Sequence, residues 1–173
     1  MTRAARLDLR SFQQDLATRL AAKTAAQVES SRLGIACGDE RWLVRLFDAG
    51  EVIAVPPIVQ VPLTQPWFLG LANIRGNLYS IIDFPAFLGR APVVPGNLVR
   101  LILLNARAGE QHAGIVVQRV LGLRNLGELE PVQGDAPQAE WHIQRWRDRD
   151  GNTWQEIDLG KLARDSAFLQ VGA

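Results

Sequence analysis

The sequence is poor in the residues that carry most enzyme chemistry. Its 173 residues include one cysteine, Cys37, and two histidines, His112 and His142. A single cysteine excludes an internal disulfide framework and a cysteine-rich zinc site. Nucleophilic catalysis needs a serine, threonine or cysteine held beside a base, and no Gly-x-Ser-x-Gly sequence surrounds any serine. Cys37 lies in an apolar predicted strand, where a thiol is usually buried and inert. These absences favour a protein that is not an enzyme and has no metal site.

The sequence also lacks a strong charge of either sign and any long apolar run. Its formal net charge is +1, so the field that draws proteins to nucleic acid is missing. It has no glycine-rich phosphate loop, and we expect no nucleotide or other cofactor. No apolar run approaches the roughly 20 residues that span a bilayer, and the first 16 residues lack the features of a secretory signal. We expect a cytoplasmic protein that reaches a membrane only through partners.

The composition is that of a folded protein, with 47% apolar and 21% charged residues. The length suits one domain, or two small subdomains that share one core. Residues 6–30 have a helical pattern, because Leu9, Phe12, Leu16 and Leu20 recur at spacings of three and four. We expect this helix to pack on its own domain. The alternative is an arm that docks on a partner.

Most of the remaining sequence has the short runs of branched and aromatic residues that are typical of β-strands. The predicted strands are residues 33–37, 41–47, 51–55, 77–82, 97–105, 112–121, 141–147 and 153–159. The fifth and sixth of these predict one hairpin, across a loop at residues 106–111, and the last two predict another. Residues 84–88 predict a single helical turn and residues 158–168 a short terminal helix. Many short strands with helices mainly at the ends indicate small β-barrels or a sandwich.

One arginine stands out in the segment GLANIRGNLYSIID, residues 70–83. Between residues 49 and 95 the only residues charged at neutral pH are Glu51, Arg75, Asp83 and Arg90. Arg75 therefore interrupts a long stretch with very little charge. Because the sequence offers no catalytic constellation, this arginine favours a binding surface.

The extended segment WFLGLANIRGNLYSIIDFPAFLG, residues 67–89, resembles the signature of the CheW-like adaptor family of bacterial chemosensory systems. The similarity continues in AGEVIAVPPIVQVP, AGIVVQRVLGL and TWQEIDLGKL, in the same order as in the family. Within the family, the segments PWFLG and GNLYS and the extra N-terminal helix are most similar to the PilI type of twitching-motility adaptor. A flagellar-type chemotaxis coupling protein is the alternative within the family. A β-barrel module that binds a small ligand or single-stranded nucleic acid is the alternative outside it.

The resemblance implies a mainly β fold with two five-stranded SH3-like β-barrel subdomains that share a core, plus an N-terminal helix and a short C-terminal helix. It implies a helical extension at residues 1–30, a CheW-like domain at 31–165 and a tail at 166–173. It further implies a non-catalytic scaffold that couples methyl-accepting chemoreceptors to a CheA-type histidine kinase. Such a protein would be cytoplasmic and associated with the inner membrane through receptor arrays.

The resemblance also implies which residues bind the receptor, in a groove between the two barrels, while the regulatory domain of the kinase contacts barrel ends. The implied groove residues are Arg75, Glu51, Gly70, Asn73, Gly76, Val120 and Leu123. The two glycines would keep side chains away from a docked receptor helix, and the last two residues would form an apolar wall. Arg75 either contacts the receptor or pairs with Glu51 and so holds the groove. Ala49 and Gln118 depart from the family pattern, which would alter the choice of receptor.

Overall fold

The computed structural model describes residues 9–105, 112–134 and 139–173, and for residues 9–17 it describes the backbone alone. Within these ranges the helices are α1 (Leu9–Ser30), α2 (Phe84–Phe87), α3 (Leu159–Leu162) and α4 (Ser166–Leu169). The strands are β1 (Ser31–Cys37), β2 (Glu40–Arg45), β3 (Ala49–Ile53), β4 (Phe68–Ile74), β5 (Asn77–Asp83), β6 (Arg100–Leu104), β7 (Ala113–Val117), β8 (Arg119–Asn125), β9 (Glu130–Pro131), β10 (His142–Arg147) and β11 (Thr153–Ile157). The mainly β fold class is confirmed. The predicted hairpin loop at 106–111 and the start of the predicted first helix, residues 6–8, lie outside the described residues.

The strands form two sheets. One has six strands in the order β8-β1-β2-β11-β10-β9, and the other has five in the order β3-β6-β7-β5-β4. Both predicted hairpins, β6–β7 and β10–β11, are antiparallel pairs. The expected five strands are found in the second sheet, while the first also includes the two-residue β9. In the five-stranded sheet, Val59 beyond β3 pairs with Leu71 of β4, so the chain links the two edges of the sheet as in a barrel.

The alternation of side chains along the strands builds one core shared by both sheets. Leu33, Ile35 and Cys37 of β1 and Ile102 and Leu104 of β6 belong to the same buried cluster, although the two strands lie in different sheets. Successive residues of a strand point to opposite faces. Each strand with both faces buried therefore contributes to this shared core with every second residue.

The residues that alternate with these along the strands point to the opposite face of each sheet. There they form a further buried cluster that belongs to that sheet alone. Leu101 and Leu103 of β6 belong to a buried cluster made only of residues around the five-stranded sheet. Leu43 and Trp154 belong to the equivalent cluster of the six-stranded sheet. Fully burying one such side chain contributes about 1.5–3 kcal/mol. Two subdomains around a common core is the arrangement that the sequence predicted.

The segment at residues 112–121 was predicted as one strand, and this prediction is wrong. It forms β7 in the five-stranded sheet and β8 in the six-stranded sheet, with Gln118 between them. Gln118 donates its backbone N–H to the Ala36 carbonyl at 3.2 Å, and its side-chain oxygen accepts the Gly38 N–H at 2.6 Å. The chain is thus fixed to β1 where it passes between sheets. The passage of the chain from one sheet to the other could not be predicted from the sequence, because the apolar pattern continues without a break through β7 and β8.

The predicted terminal helix at 158–168 is in fact two short helices. The Asp158 side chain accepts the Lys161 N–H at 2.9 Å and caps α3, and the Asp165 side chain accepts the Ala167 N–H at 2.8 Å and caps α4. An aspartate at each N-cap satisfies orphan backbone donors. The second cap begins a new helix within the segment that the pattern predicted as continuous.

The expectation that the N-terminal helix packs on its own domain is wrong for its described part. Every residue from Thr18 to Glu29 is exposed. In this part only Leu20 and Val28 are large apolar side chains, and both are exposed. Two such side chains offer too little apolar surface to hold a helix against a sheet. The alternative, an arm available to a partner, stays open.

Candidate functional site

The segment that stood out in the sequence forms the β4–β5 hairpin, and Arg75 lies at its tip. Asn73 pairs with Leu78 and Ile74 with Asn77, which leaves Arg75 and Gly76 as a two-residue loop. Their φ angles are +54° and +87°. Positive φ at both positions is the signature of a type I′ turn, whose twist matches that of the flanking strands. The Asn73 side-chain oxygen accepts the Gly76 N–H at 2.9 Å and stabilises the turn.

Arg75 is an unusual residue for this backbone conformation. The left-handed region costs an ordinary L-residue about 1–2 kcal/mol, and glycine or asparagine normally occupies this turn position. The Arg75 side chain is 75% exposed and its Nη2 lies 2.7 Å from Glu51 Oε1. An exposed ion pair contributes only about 0–1 kcal/mol. The stability of the fold therefore does not explain an arginine at this position.

Glu51 reaches Arg75 from the opposite edge of the same sheet. It lies on β3, where Ala49 pairs with Leu104 and Glu51 with Leu103, so Gly50 is an extra residue in the strand. Such a β-bulge re-aims the neighbouring side chains. Because β3 and β4 are the two edge strands, the ion pair bridges the two edges of the five-stranded sheet.

Gly70 and Gly76 are glycines for different local reasons. Gly70 has φ +129°, and a Cβ there would collide with the carbonyl oxygen of Val59. The segment after β3 crosses β4 at this point through paired hydrogen bonds of 2.8 and 2.9 Å between Val59 and Leu71. Gly76 has open space around its Cβ position and is required by its positive φ alone. The chain therefore needs Gly70 for its own packing, and the role predicted for it beside a docked helix remains a prediction.

Val120 and Leu123 lie on β8, the edge strand of the six-stranded sheet. Val120 is half-buried and packs against the shared core, while Leu123 is exposed and pairs with Leu33. Of the predicted site residues, contacts in the described chain join Arg75 to Glu51 and Asn73 to Gly76. Val120 and Leu123 belong to the other sheet, so their place in one groove with Arg75 stays a prediction.

Two exposed apolar residues beside the ion pair were missed by the sequence analysis. Leu78, 58% exposed, lies at the start of β5 next to the Arg75 turn, and Val52, 40% exposed, follows Glu51. A leucine at the start of an apolar strand cannot be assigned to the surface by pattern alone. The pairing of Leu78 with Asn73 in the hairpin is what puts it beside the tip.

Burial shifts the pKa of two titratable groups in the described part of the chain, Cys37 and His142. Burial raises the pKa of the Cys37 thiol far above its usual range, and the charges of Glu40 and Asp83 raise it further, so this thiol is inert. Burial and the charge of Arg145 lower the pKa of His142, against an opposing effect of Glu40. Among the described residues there is no group of histidine, cysteine, aspartate and glutamate side chains that could hold a metal ion. In the same part of the chain, no helix is long and apolar enough to cross a membrane.

Comparison with known proteins identifies the family. Residues 32–167 match the family model of the CheW-like domain. The chain belongs to the CheW-like domain family. It is similar to protein PilI of Pseudomonas aeruginosa, with 32% identity over 163 residues that cover 88% of each chain. It is also similar to protein FrzA of Myxococcus xanthus, with 29% identity over 103 residues that cover 57% of this chain and 63% of FrzA.

A solved structure agrees in fold. The crystal structure of the scaffolding protein TtCheW from Thermoanaerobacter tengcongensis superposes with a TM-score of 0.63 at 20% identity, covering 75% of this chain and 88% of TtCheW. This likeness confirms the CheW-like fold. The assignment to the family, with its likeness to PilI, is also confirmed.

Proposed function

We propose that this protein is a non-catalytic adaptor that couples methyl-accepting chemoreceptors to a CheA-type histidine kinase in a chemosensory array controlling type IV pilus twitching motility. The observation that carries the proposal is Arg75, an exposed arginine held in a strained turn for which fold stability gives no reason. Membership of the CheW-like family and the likeness to PilI support the adaptor role and the pilus system. In this proposal the protein is cytoplasmic and joins the inner membrane through the receptors.

The receptor tip binds as a helix in a groove between the two sheets. Arg75 and Glu51 supply the polar contacts that orient the helix, and Leu78 supplies apolar surface beside them. Val120 and Leu123 on β8 form the wall on the other sheet. A helix-in-groove interface needs mainly apolar surface with a few polar groups, and these side chains have that chemistry.

The kinase regulatory domain binds a different surface of the five-stranded sheet, at a cavity whose charged lining residues are Asp83 and Arg100 and whose other lining residues are uncharged. Residues 52–74 and 91–99 contain no ionisable side chain. Between these two segments lies a cavity of about 810 Å³, and Val94 and Leu98 on its second segment are exposed. Charge depletion together with exposed apolar side chains is typical of the centre of a protein interface. The cavity includes Asp83 at the end of β5, whereas Arg75 precedes the start of β5, so the two partners need not compete.

The two surfaces are tested separately by charge substitutions. Titration calorimetry would measure binding of the full chain to a soluble receptor tip and to the kinase regulatory domain. Arg75→Glu should weaken receptor binding at least about tenfold and leave kinase binding unchanged, since loss of a hot-spot arginine costs about 2 kcal/mol or more and about 1.4 kcal/mol is tenfold. Val94→Glu should weaken kinase binding and leave receptor binding unchanged. Arg149→Glu, an exposed arginine on the β10–β11 turn, is the matched control and should change neither.

The role of Glu51 is separated from that of Arg75 by reversing the pair. The double variant Glu51→Arg with Arg75→Glu can restore the ion pair while inverting both charges. If Arg75 contacts the receptor directly, the double variant stays as weak as Arg75→Glu. If the pair only holds the groove, the double variant recovers wild-type affinity, and Arg75 becomes a positioning residue. Wild-type affinity of Arg75→Glu itself would remove Arg75 from the site.

A flagellar-type coupling protein is the second candidate function. It is favoured by similarity to relatives such as the chemotaxis protein CheW of Rhizobium meliloti, at 27% identity over 93 residues. Deletion of the gene separates the two systems. Loss of twitching with normal swimming supports the pilus system, and loss of swimming with normal twitching supports the flagellar one.

A further inference from the structure

The cavity of about 810 Å³ beside the five-stranded sheet contains an arginine without an acidic partner. Arg100, the first residue of β6, is half-buried and lines this cavity. The ion pairs among the described residues join four other arginines to carboxylates, and none of them involves Arg100. The sequence has no acidic residue from 84 to 105. A half-buried cation without a counter-ion costs free energy, so the charge of Arg100 fits a carboxylate supplied by another molecule.

The carboxylate nearest to hand is already occupied. Among the described residues that line the cavity, Asp83 is the only acidic one. Its Oδ1 accepts the backbone N–H of Ala86 at 2.9 Å, and its Oδ2 accepts the backbone N–H of Val93 at 2.8 Å. These bonds cap α2 and tie the segment after it to the end of β5. Both oxygens of Asp83 therefore hold the chain in place, and its side chain does not neutralise Arg100.

The guanidinium of Arg100 is fixed through one of its three nitrogens. Nη1 donates to the carbonyl oxygens of Asn97 and Val99, both at 2.7 Å, whereas Nε and Nη2 donate to no atom of the described residues. Nε and Nη2 form the edge through which a guanidinium binds a carboxylate with two hydrogen bonds. Arg90 uses this edge in the same protein, since its Nε and Nη2 donate to Glu40 Oε1 at 3.0 and 2.6 Å. Arg100 is thus held in position with its binding edge free.

The surroundings of Arg100 in the cavity are mainly apolar. Leu69 and Val116 line it from the strands, and Val93 and Val99 line it from the segment before β6. The volume lies within the range of about 300–1,000 Å³ that is usual for ligand pockets with apolar walls and a few polar groups. A charge pair in such a partly water-excluded site is stronger than the same pair on an open surface. The cavity therefore fits an occupant with an apolar side chain and one carboxylate.

We propose that Arg100 selects the kinase regulatory domain by binding a carboxylate of that domain on its free edge, beside an apolar side chain that fills the cavity. This inference rests on the proposed function, in which the kinase domain binds this surface. Val94 and Leu98, which flank the cavity on the segment before β6, are 78% and 62% exposed and continue the contact outward. A competing protein with an apolar side chain but no carboxylate would bury the Arg100 edge unpaired, which opposes its binding.

Titration calorimetry of the full chain with the kinase regulatory domain tests the role of Arg100. Arg100→Gln removes the charge and the free edge, and it should raise the dissociation constant at least about tenfold. Arg100→Lys keeps the charge but loses the paired donors, so its affinity should lie between those of Arg100→Gln and the wild type. Arg149→Gln, the matched change on the β10–β11 turn of the other sheet, should bind like the wild type. A cooperative urea transition shows that each variant folds.

The salt dependence of binding distinguishes a charge pair from lost packing. Raising the salt concentration from about 0.05 M to about 0.5 M screens charges and should weaken binding of the wild type more than binding of Arg100→Gln. Equal salt dependence of the two proteins would overturn the charge pair.

The carboxylate is identified from the kinase side, which leaves this chain unchanged. Each aspartate of the kinase domain is replaced with asparagine and each glutamate with glutamine, one at a time. One replacement should weaken binding to the wild type at least about tenfold and add little to the effect of Arg100→Gln, because the two groups form one contact. If no single replacement weakens binding, the proposal is overturned, even where Arg100→Gln itself fails to fold.

Failure of this inference is distinguishable from failure of the proposed kinase surface. Wild-type affinity of Arg100→Gln, combined with loss of binding in Val94→Glu, would overturn the role of Arg100 and leave the kinase surface in place. Wild-type affinity of both variants would overturn the kinase surface and this inference with it. Wild-type affinity of Arg100→Lys, together with weak binding of Arg100→Gln, would overturn the two-bond contact on the free edge.

Discussion

Arg75→Asn should make the fold more stable while it removes the proposed receptor contact. Asparagine tolerates the left-handed conformation that Arg75 adopts at φ +54°, and Asn-Gly is the preferred pair in a type I′ turn. The substitution therefore relieves backbone strain at the tip of the β4–β5 hairpin. It also removes the ion pair with Glu51.

The net change follows from two opposing terms. Relief of the left-handed arginine contributes about 1 kcal/mol. Loss of the ion pair costs about 0.5 kcal/mol or less, because the Arg75 side chain is 75% exposed and the pair is screened by solvent. The free energy of unfolding should rise by about 0.5 kcal/mol. For a domain of this size, that corresponds to a rise in Tm of about 1–2 °C.

Urea denaturation of the wild type, Arg75→Asn, Glu51→Gln and the double variant would measure both terms. Glu51→Gln removes the ion pair without changing the turn and should lower the free energy of unfolding by about 0.5 kcal/mol at most. The double variant should be as stable as Arg75→Asn, because no ion pair is left for the second change to remove. A loss of more than about 1 kcal/mol in Arg75→Asn would show instead that the arginine stabilises the fold, and that its conformation carries no relievable strain.

Three further predictions concern the fold. Gly70→Ala should cost more than about 3 kcal/mol in urea denaturation, because its Cβ collides with the Val59 carbonyl and its φ is strained; near wild-type stability would contradict the close crossing. Desolvation raises the pKa of Asp148, but hydrogen bonds from Trp154, Asn152 and the backbone of Asp150 outweigh this effect and lower the pKa to about 2. Because this pKa lies below the unfolded value, the Asp148 carboxylate should stabilise the fold above pH 4. The free energy of unfolding of the wild type should lose this contribution between pH 4 and pH 2, whereas Asp148→Asn should lack this pH dependence. Burial lowers the pKa of His142, so stability should fall as pH drops below about 6.5, and His142→Phe should flatten that part of the pH profile.

The sequence was sufficient for the strands whose pattern is local. β6 with β7 and β10 with β11 were predicted as hairpins, because apolar runs flank turn signals at short range. The shared core was implied by the resemblance to the CheW-like family, and the length of the chain permitted it. The crossing at Gln118 was not predictable. It depends on hydrogen bonds to β1, about 80 residues away in the chain.

The resemblance supplied the residues of the candidate site, whose role in binding stays a prediction. It left open an ion pair between Arg75 and Glu51, which the structure shows. The left-handed conformation of Arg75 was not predicted, because it depends on the turn that closes the β4–β5 hairpin. Gly70 was assigned to a docked partner, whereas the structure shows that the crossing segment of its own chain already requires a glycine. The exposure of α1 was missed, because helical periodicity shows which residues share a face and not whether anything covers that face.

In the proposed adaptor role, one chain binds receptor and kinase at the same time. A bead-bound receptor signalling tip incubated with the kinase regulatory domain tests this directly, with and without the full chain. We expect the kinase domain to be retained only when the chain is present. Both Arg75→Glu and Val94→Glu should abolish retention, while Arg149→Glu should not. Retention of the kinase domain without the chain, or no retention with it, would contradict the adaptor role.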